Sequence, residues 1–382
     1  AFSLSAMDLL DLYVLKKFLV PFFYSIVGFV AIWFVWDLSS NAPDFIQGHI
    51  SFGTLVHFYL TQIPEVMVLS IPVAILLALL YSFTQMSRHN EIISMHCSGR
   101  SLYRIFLPFV FVGLVLVSLV TYFNYQQAPQ AKAIKDQLKD EIRTGLKSTK
   151  FLKNHLFRNR VDNRTWYMQA LDIFHQRAYQ LQIIQQDAGG NIVEKWYIVD
   201  ASYDPATHTW HFSNVNHVVV DAAGNIVSFD FAEQRDINNW SESPWRIGSS
   251  AMDPNVLGVP ELKEYLAHNS DFPKVRLAPF ITHLYYRWSL PWTCLIVIFI
   301  AAPLGVIYSR RSILGGITMA VGLFAALLFA DNLFLALGKG SRCFPWIAAW
   351  GPNFIFLGIG CYLLWIKATG RELPKIKLPW AD

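Results

Sequence analysis

Six apolar runs of membrane-crossing length, split three and three by one long polar stretch, constrain this chain more than any other feature of its sequence. The hydrocarbon core of a bilayer is about 30 Å thick, so a helix needs roughly 20 mostly apolar residues to cross it. The runs fall near 20–38, 64–83, 102–125, 291–308, 313–336 and 346–366. In lipid only helices and closed barrels satisfy their own backbone polar groups, so each run reads as a helical span. Composition agrees: of 382 residues 54% are hydrophobic and 15% charged, against about 25% charged in soluble domains. The formal net charge of +4 resides largely in Lys and Arg at the ends of the runs. Such charges orient a membrane protein, and nucleic acid is not read as a partner.

Orientation follows from the short loops. Lys16 and Lys17 precede the first run; Arg88, Arg100 and Arg104 separate the second from the third; Arg310 and Arg311 separate the fourth from the fifth; Lys367, Arg371, Lys375 and Lys377 follow the sixth. The loop at 39–63 has no Lys or Arg, and only Lys339 and Arg342 break the pattern. Both termini are therefore expected in the cytoplasm, with the polar stretch at 127–275 on the opposite side. That stretch is too long for a loop and is read as a domain. The expected division is 1–144 with spans 1–3, 145–275 as the domain, and 276–382 with spans 4–6. Residues 8–19, 54–63 and 277–290 read as amphipathic helices lying in the membrane interface, with Pro64 and Pro291 marking where spans begin. The first six residues lack the basic stretch and cleavage site of a signal peptide, and Met7 reads as the natural start. Cys97, Cys294 and Cys361 lie in or beside apolar segments and Cys343 in a short loop, a pattern with neither disulfide framework nor metal spacing.

From about Thr165 the polar stretch turns to period-two runs separated by turn clusters. Two turns nearly repeat, one from Asp187 through Asn191 and one from Asp221 through Asn225, and each reads as a hairpin. After a third turn, Trp210 and Phe212 alternate with His211 and so share one strand face. The reading is an antiparallel barrel or sandwich whose face packs a core or holds something greasy, the core being the commoner outcome. His208 and His211 have no acidic or Cys neighbours in sequence, and no metal is expected. No G-x-x-x-x-G-K-[ST] phosphate loop occurs, so ATP hydrolysis by that route is not this chain's work.

Several segments, taken in order, resemble one family. They are Pro64-Glu65 with Ile71-Pro72; Glu91 to Gly99 (EIISMHCSG); Ala128-Pro129; Tyr203 to Val215 (YDPATHTWHFSNV); Arg287 to Pro291 (RWSLP); and Ala302 to Gly305 (APLG). Together they resemble the lipopolysaccharide export permeases. The Asp204-Pro205 pair and the start at Tyr13-Val14-Leu15-Lys16-Lys17 are more like the G-type subunit than the F-type. The resemblance implies an α-helical membrane protein of six spans with an inserted all-β, jellyroll-like periplasmic domain, in the inner membrane of a Gram-negative bacterium. It implies a permease subunit that takes lipopolysaccharide from the membrane and hands it to a periplasmic bridge. Implied partners are a cytoplasmic ATPase dimer, a second six-span permease, a bridge protein with a single-span anchor, and a periplasmic bridge protein. No cofactor is expected on this chain, since ATP and Mg would sit on the ATPase, and no residue is catalytic.

The resemblance also assigns sites. Glu91, Met95, Ser98 and Gly99 fall in a coupling helix near 87–99 that would sit in a groove of the ATPase. On the residues alone, Asn90 is a competent N-cap, Glu91 an acid in a first turn, and Gly99 the left-handed end. Arg287, Asp37 and Asp331 would face the lipid cavity or its gate; the ordinary alternative is charged ends snorkelling to headgroups. Phe34 and Trp36 would lie against acyl chains, or simply belong to an interface belt. Where relatives often carry an acid one turn before the basic residue of span 4, this chain has His283. Where G-type relatives can carry lysines on span 1, it has Phe34 and Ser39-Ser40-Asn41, so headgroup contacts fall to Lys135, Lys139 and Arg143 or to the partner. Tyr167, Trp210 and Phe212 would line a lipid path in the β-domain. Against the lipopolysaccharide permease stand a non-transporting membrane scaffold, a permease for another lipid or lipoprotein, and an intramembrane lipid enzyme, for which no clustered His, Asp or Glu is evident.

Overall fold

The computed structural model describes residues 9–47, 51–132, 134–135, 151–173, 175–221, 224–238, 240–270, 272–306 and 313–369. They form two compact units, Ala1–Lys132 with Ala278–Asp382, and Ala133–Leu277.

The first unit is helical. α1 spans Leu9–Gln47, α2 Phe52–Arg88, α3 Glu91–Cys97 and α4 Leu102–Tyr122, which runs on through a π turn at Phe123–Gln127. After α5 (Pro244–Ser249) and α6 (Val259–His268) of the second unit come α7 (Lys274–Ser289), α8 (Thr293–Gly305), α9 (Ile313–Lys339) and α10 (Pro345–Ala368). Among the described residues six helical stretches are long and apolar enough to cross a membrane: Leu10–Pro43, Phe52–Arg88, Leu102–Lys132, Lys274–Gly305, Gly315–Lys339 and Pro345–Ala368. α2 and α8 form the centre, with Ile71, Ile75, Leu79, Phe83, Val297 and Ala301 buried in one cluster. Small residues let the backbones close up, as membrane helices require. A Cβ on Gly305 would lie 2.8 Å from Phe83 Cβ, and one on Gly360 2.8 Å from Phe299 Cβ.

Two expected interface segments are not separate elements. Residues 9–19 and 54–63 continue into α1 and α2, and Pro64 lies inside α2 without ending it. Phe58 and Tyr59, on the turns before Pro64, are buried against Phe45, so tertiary packing carries the helix through the proline. At Pro291 the chain does break, into a 3-10 turn at Leu290–Trp292.

The second unit carries β1 (Phe151–Asn159), β2 (Arg164–Asp172), β3 (Arg177–Gln186), β4 (Ile192–Asp204), β5 (Thr209–Val220) and β6 (Ile226–Asn238). All pair antiparallel in chain order, so what the family resemblance calls a jellyroll is, in the described residues, a sequential meander. The twin turns share one geometry. In each, the Asp backbone N–H donates to the Asn carbonyl at 2.9 Å, the Asn N–H returns to the Asp carboxylate at 2.8 Å, and Gly190 or Gly224 takes φ of +87°.

A crease crosses the whole sheet. The pairing skips Asn154, Gln169, Gln180, Val199, Asn214 and Glu233, one residue on each strand and all in one line. On alternate strands the skipped residue is left-handed: Asn154, Gln180 and Asn214 have φ of 51°, 48° and 53°. Such a residue turns the strand and shifts which side chains face inward. Accordingly the buried positions step by three across the line, from Met168 to Leu171, Leu181 to Ala178, Ile198 to Ala201 and Val215 to Phe212. The segment after β6 packs on that buried side, with Trp240 against Trp166 and Phe272 against Phe157.

Candidate functional site

The α3 turn is built by its two ends. Asn90 precedes it with φ of 57° and makes no side-chain cap, so it serves as a left-handed corner and not as the capping residue expected. Gly99 closes it at φ +88°, and its N–H bonds His96 O while that of Arg100 bonds Met95 O, the paired hydrogen bonds of a glycine-terminated helix. Ile92 and Met95 are buried in the helical core, and Ser98 Oγ donates to Met95 O at 2.8 Å. Ile93, His96 and Cys97 face outward. Of the four expected coupling residues, Met95 thus anchors the turn inward and Gly99 shapes it.

Glu91 is engaged within its own chain. Lys17 Nζ on α1 donates to Glu91 Oε1 at 2.7 Å, and Arg100 Nη1 donates to Asp11 Oδ1 at 2.8 Å. Glu91 Oε2 is closed off from water and has no donor among the described residues. Lys17 was legible only as a topology charge, since its partner lies 74 residues away.

Further along α1 and α2 lies an almost wholly apolar groove of about 550 Å³, lined by Ile26, Val30 and Phe34 on one side and Leu55, Tyr59 and Met67 on the other. The Phe34 and Tyr59 rings are 4.6 Å apart. Tyr59 donates to Asp37 Oδ2 at 3.3 Å, so buried Asp37 is held at the groove's end by a residue the sequence did not single out. Trp36 faces away, 65% exposed.

Arg287 has a different partner from any expected. Its Nη1 donates to Asn124 Oδ1 at 3.0 Å, and Asn124 Nδ2 returns to Arg287 O at 2.7 Å, joining the π turn after α4 to the last turn of α7. Asn353 Nδ2 donates to Ser289 O at 2.8 Å beside the same break. Asp331 is buried within α9. Lys139 and Arg143 lie outside the described residues.

In the sheet, the structure brings together Trp210 and Phe212 but not Tyr167. The first two are fully buried and pack with Trp166 and Trp240. Tyr167 follows Trp166 directly and so takes the other face, where it is 40% exposed. Register places it in a row across all six strands: Leu156, Tyr167, Gln182, Tyr197, Asn216 and Phe231. The four apolar or aromatic members of that row are all exposed.

Among the described residues no group of three His, Cys, Asp or Glu is placed to hold a metal ion. No curated protein matches the chain. Residues 12–366, nearly its whole length, match the family described as lipopolysaccharide export system permease LptF/LptG, and the chain belongs to that family.

Proposed function

We propose that the chain is the G-type transmembrane subunit of an ATP-driven transporter that extracts lipopolysaccharide from the inner membrane and passes it to a periplasmic bridge. In this reading both termini and the α3 turn are cytoplasmic and the β unit is periplasmic. The observation that carries it is the pairing, within one helical unit, of an apolar groove between α1 and α2 with a turn whose outward face is uncommitted. The groove has the size and lining of an acyl-chain site. The turn presents Ile93, His96 and Cys97 outward as the surface a motor's groove would receive.

ATP and Mg would bind the cytoplasmic ATPase dimer, and a second six-span permease would complete the cavity. In the β unit the exposed row from Leu156 to Phe231, and not the buried Trp210 and Phe212, is the better surface for acyl chains. β6 pairs only with β5 among the described strands and ends the sheet with Val227, Phe229 and Phe231 exposed, a fitting edge for a strand of the bridge.

The test is reconstitution. The chain should co-purify with an ATPase dimer and a second permease, and in vesicles lipopolysaccharide release should require ATP and all three. Photo-crosslinking groups at Tyr167, Tyr197 and Phe231 should form ATP-dependent adducts with labelled lipopolysaccharide, while one at Trp210 should not. A chain that purifies alone, or a complex that releases no lipid, would overturn the reading.

A further inference from the structure

We propose that Asp11, Lys17 and Arg100 are positioning residues that, with Glu91, latch the foot of α1 to the α3 turn in one register, so that α1 carries movement of the turn to the apolar groove. The proposal rests on the permease reading, in which the turn is where the motor pushes.

The two ion pairs cross in polarity. Along α1 the acid comes first, Asp11 and then Lys17; along the turn the acid also comes first, Glu91 and then Arg100. The pairs run antiparallel, Lys17 to Glu91 and Asp11 to Arg100, at 2.7 and 2.8 Å. A slip of one element along the other brings Arg100 toward Lys17 in one direction and Glu91 toward Asp11 in the other, so a like-charge approach opposes displacement either way. The four side chains are only 17–23% exposed, so the contacts are less screened than ordinary surface pairs.

The foot of α1 also carries a gap in its own hydrogen bonding. Pro21 has no N–H, which leaves the carbonyl four residues earlier, that of Lys17, without its helical donor. Ser82 on α2 fills the gap: its hydroxyl lies 2.9 Å from Lys17 O and 2.6 Å from Ala78 O, sharing one hydrogen between them. One residue, Lys17, is thus held to the turn by its ammonium and to α2 by its carbonyl. It also lies 5.0 Å over the Tyr13 ring.

Above the foot, α1 is the least enclosed span. Only 11% of its most apolar stretch is buried, against 67% for α2. Helix nevertheless continues from Asp11 to Phe34, a rise of about 35 Å. A rod gripped at its foot and loosely packed along its length transmits displacement to its far end. That end holds Trp33 and Phe34 against Tyr59, with Asp37 on the Tyr59 hydroxyl.

The experiment reverses the pair that does not include Glu91. Asp11→Lys, Arg100→Glu and the double variant are each assembled with the ATPase and the second permease in vesicles, and ATP hydrolysis and lipopolysaccharide release are measured separately. Each single reversal should leave hydrolysis within about twofold and cut release about tenfold, and the double variant should recover to within about threefold of the parent. If a reversal prevents assembly, Asp11→Asn serves instead, with an expected loss of about threefold in release. Unchanged release in the single variants, or a double variant no better than either, overturns the latch. Should the parent complex hydrolyse ATP without releasing lipid, it is the permease reading that fails. The latch is then judged by melting the full chain in detergent: midpoints lowered by each reversal and restored in the double variant uphold it, while additive losses remove it.

Discussion

The two units place their ion pairs differently. In the helical unit the ion pairs and amide bridges sit at ends and breaks: Lys17 with Glu91, Asp11 with Arg100, Asn124 with Arg287 beside the π turn, and Asn353 with Ser289 beside the 3-10 turn. The β unit instead encloses a charge. Glu242 is fully buried and receives Arg164 Nη1 on both oxygens at 2.7 and 3.0 Å and Asn159 Nδ2 at 2.9 Å, while its backbone carbonyl accepts from Trp210 Nε1 at 2.7 Å. The Arg164 guanidinium stacks 4.1 Å over Trp240. Lipid penalises charges along a span, so the ion pairs of the helical unit lie where helices end, and among the described residues the acids buried within spans are few, Asp37 on α1 and Asp331 on α9. A unit without spans can bury an ion pair if every group is satisfied, and the result is a fixed wall.

The largest effect falls at Glu242. Glu242→Ala leaves the Arg164 charge without its buried carboxylate, while Asn159 Nδ2 keeps Asp162 and Ser241 as acceptors, and should cost about 3–5 kcal/mol, read as unfolding of the sheet at lower denaturant. Gly360→Leu should come next, forcing α10 off Phe299 at a cost of about 1–3 kcal/mol and lowering the melting point of the helical unit. In contrast with Glu242, Asn124→Leu removes a bridge at a helix break and should cost only about 1–2 kcal/mol in the same melt. A loss well below about 1 kcal/mol would mean the break is not held there.

The smallest effect is a pH slope confined to the β unit. Burial lowers the pKa of His155, and the nearby Arg276 charge acts the same way, while the Ile247 carbonyl opposes them. The unfolded chain, with its imidazole near 6.5, then binds the proton more readily than the folded one. Stability should be full above about pH 6.5 and fall as the pH drops below that toward the folded-state value. His155→Gln should flatten this slope in melts between about pH 5 and 7, and an unchanged slope would assign it to other groups.

How much was legible depended on how local the cause is. Six spans, the hairpins at Asp187 and Asp221, and the left-handed end at Gly99 each follow from a few adjacent residues, and each stands in the structure. Pro64 misled because its effect is also local, whereas the packing of Phe58 and Tyr59 that overrides it is not. Grouping Tyr167 with Trp210 failed for another reason. A period-two pattern says which neighbours alternate but not which face is buried, and the crease at Gln169 resets the alternation mid-strand.

The sequence by itself determined that this is a six-span membrane protein with an inserted β unit, because hydropathy and turn chemistry act over a few residues at a time. Only the tertiary structure decided that Lys17 meets Glu91, that Asn124 holds Arg287, and that Phe34 and Tyr59 share a groove. Those partners stand 74, 163 and 25 residues apart. A charge or ring carries no mark of its partner until folding has spent the chain entropy that brings the two together.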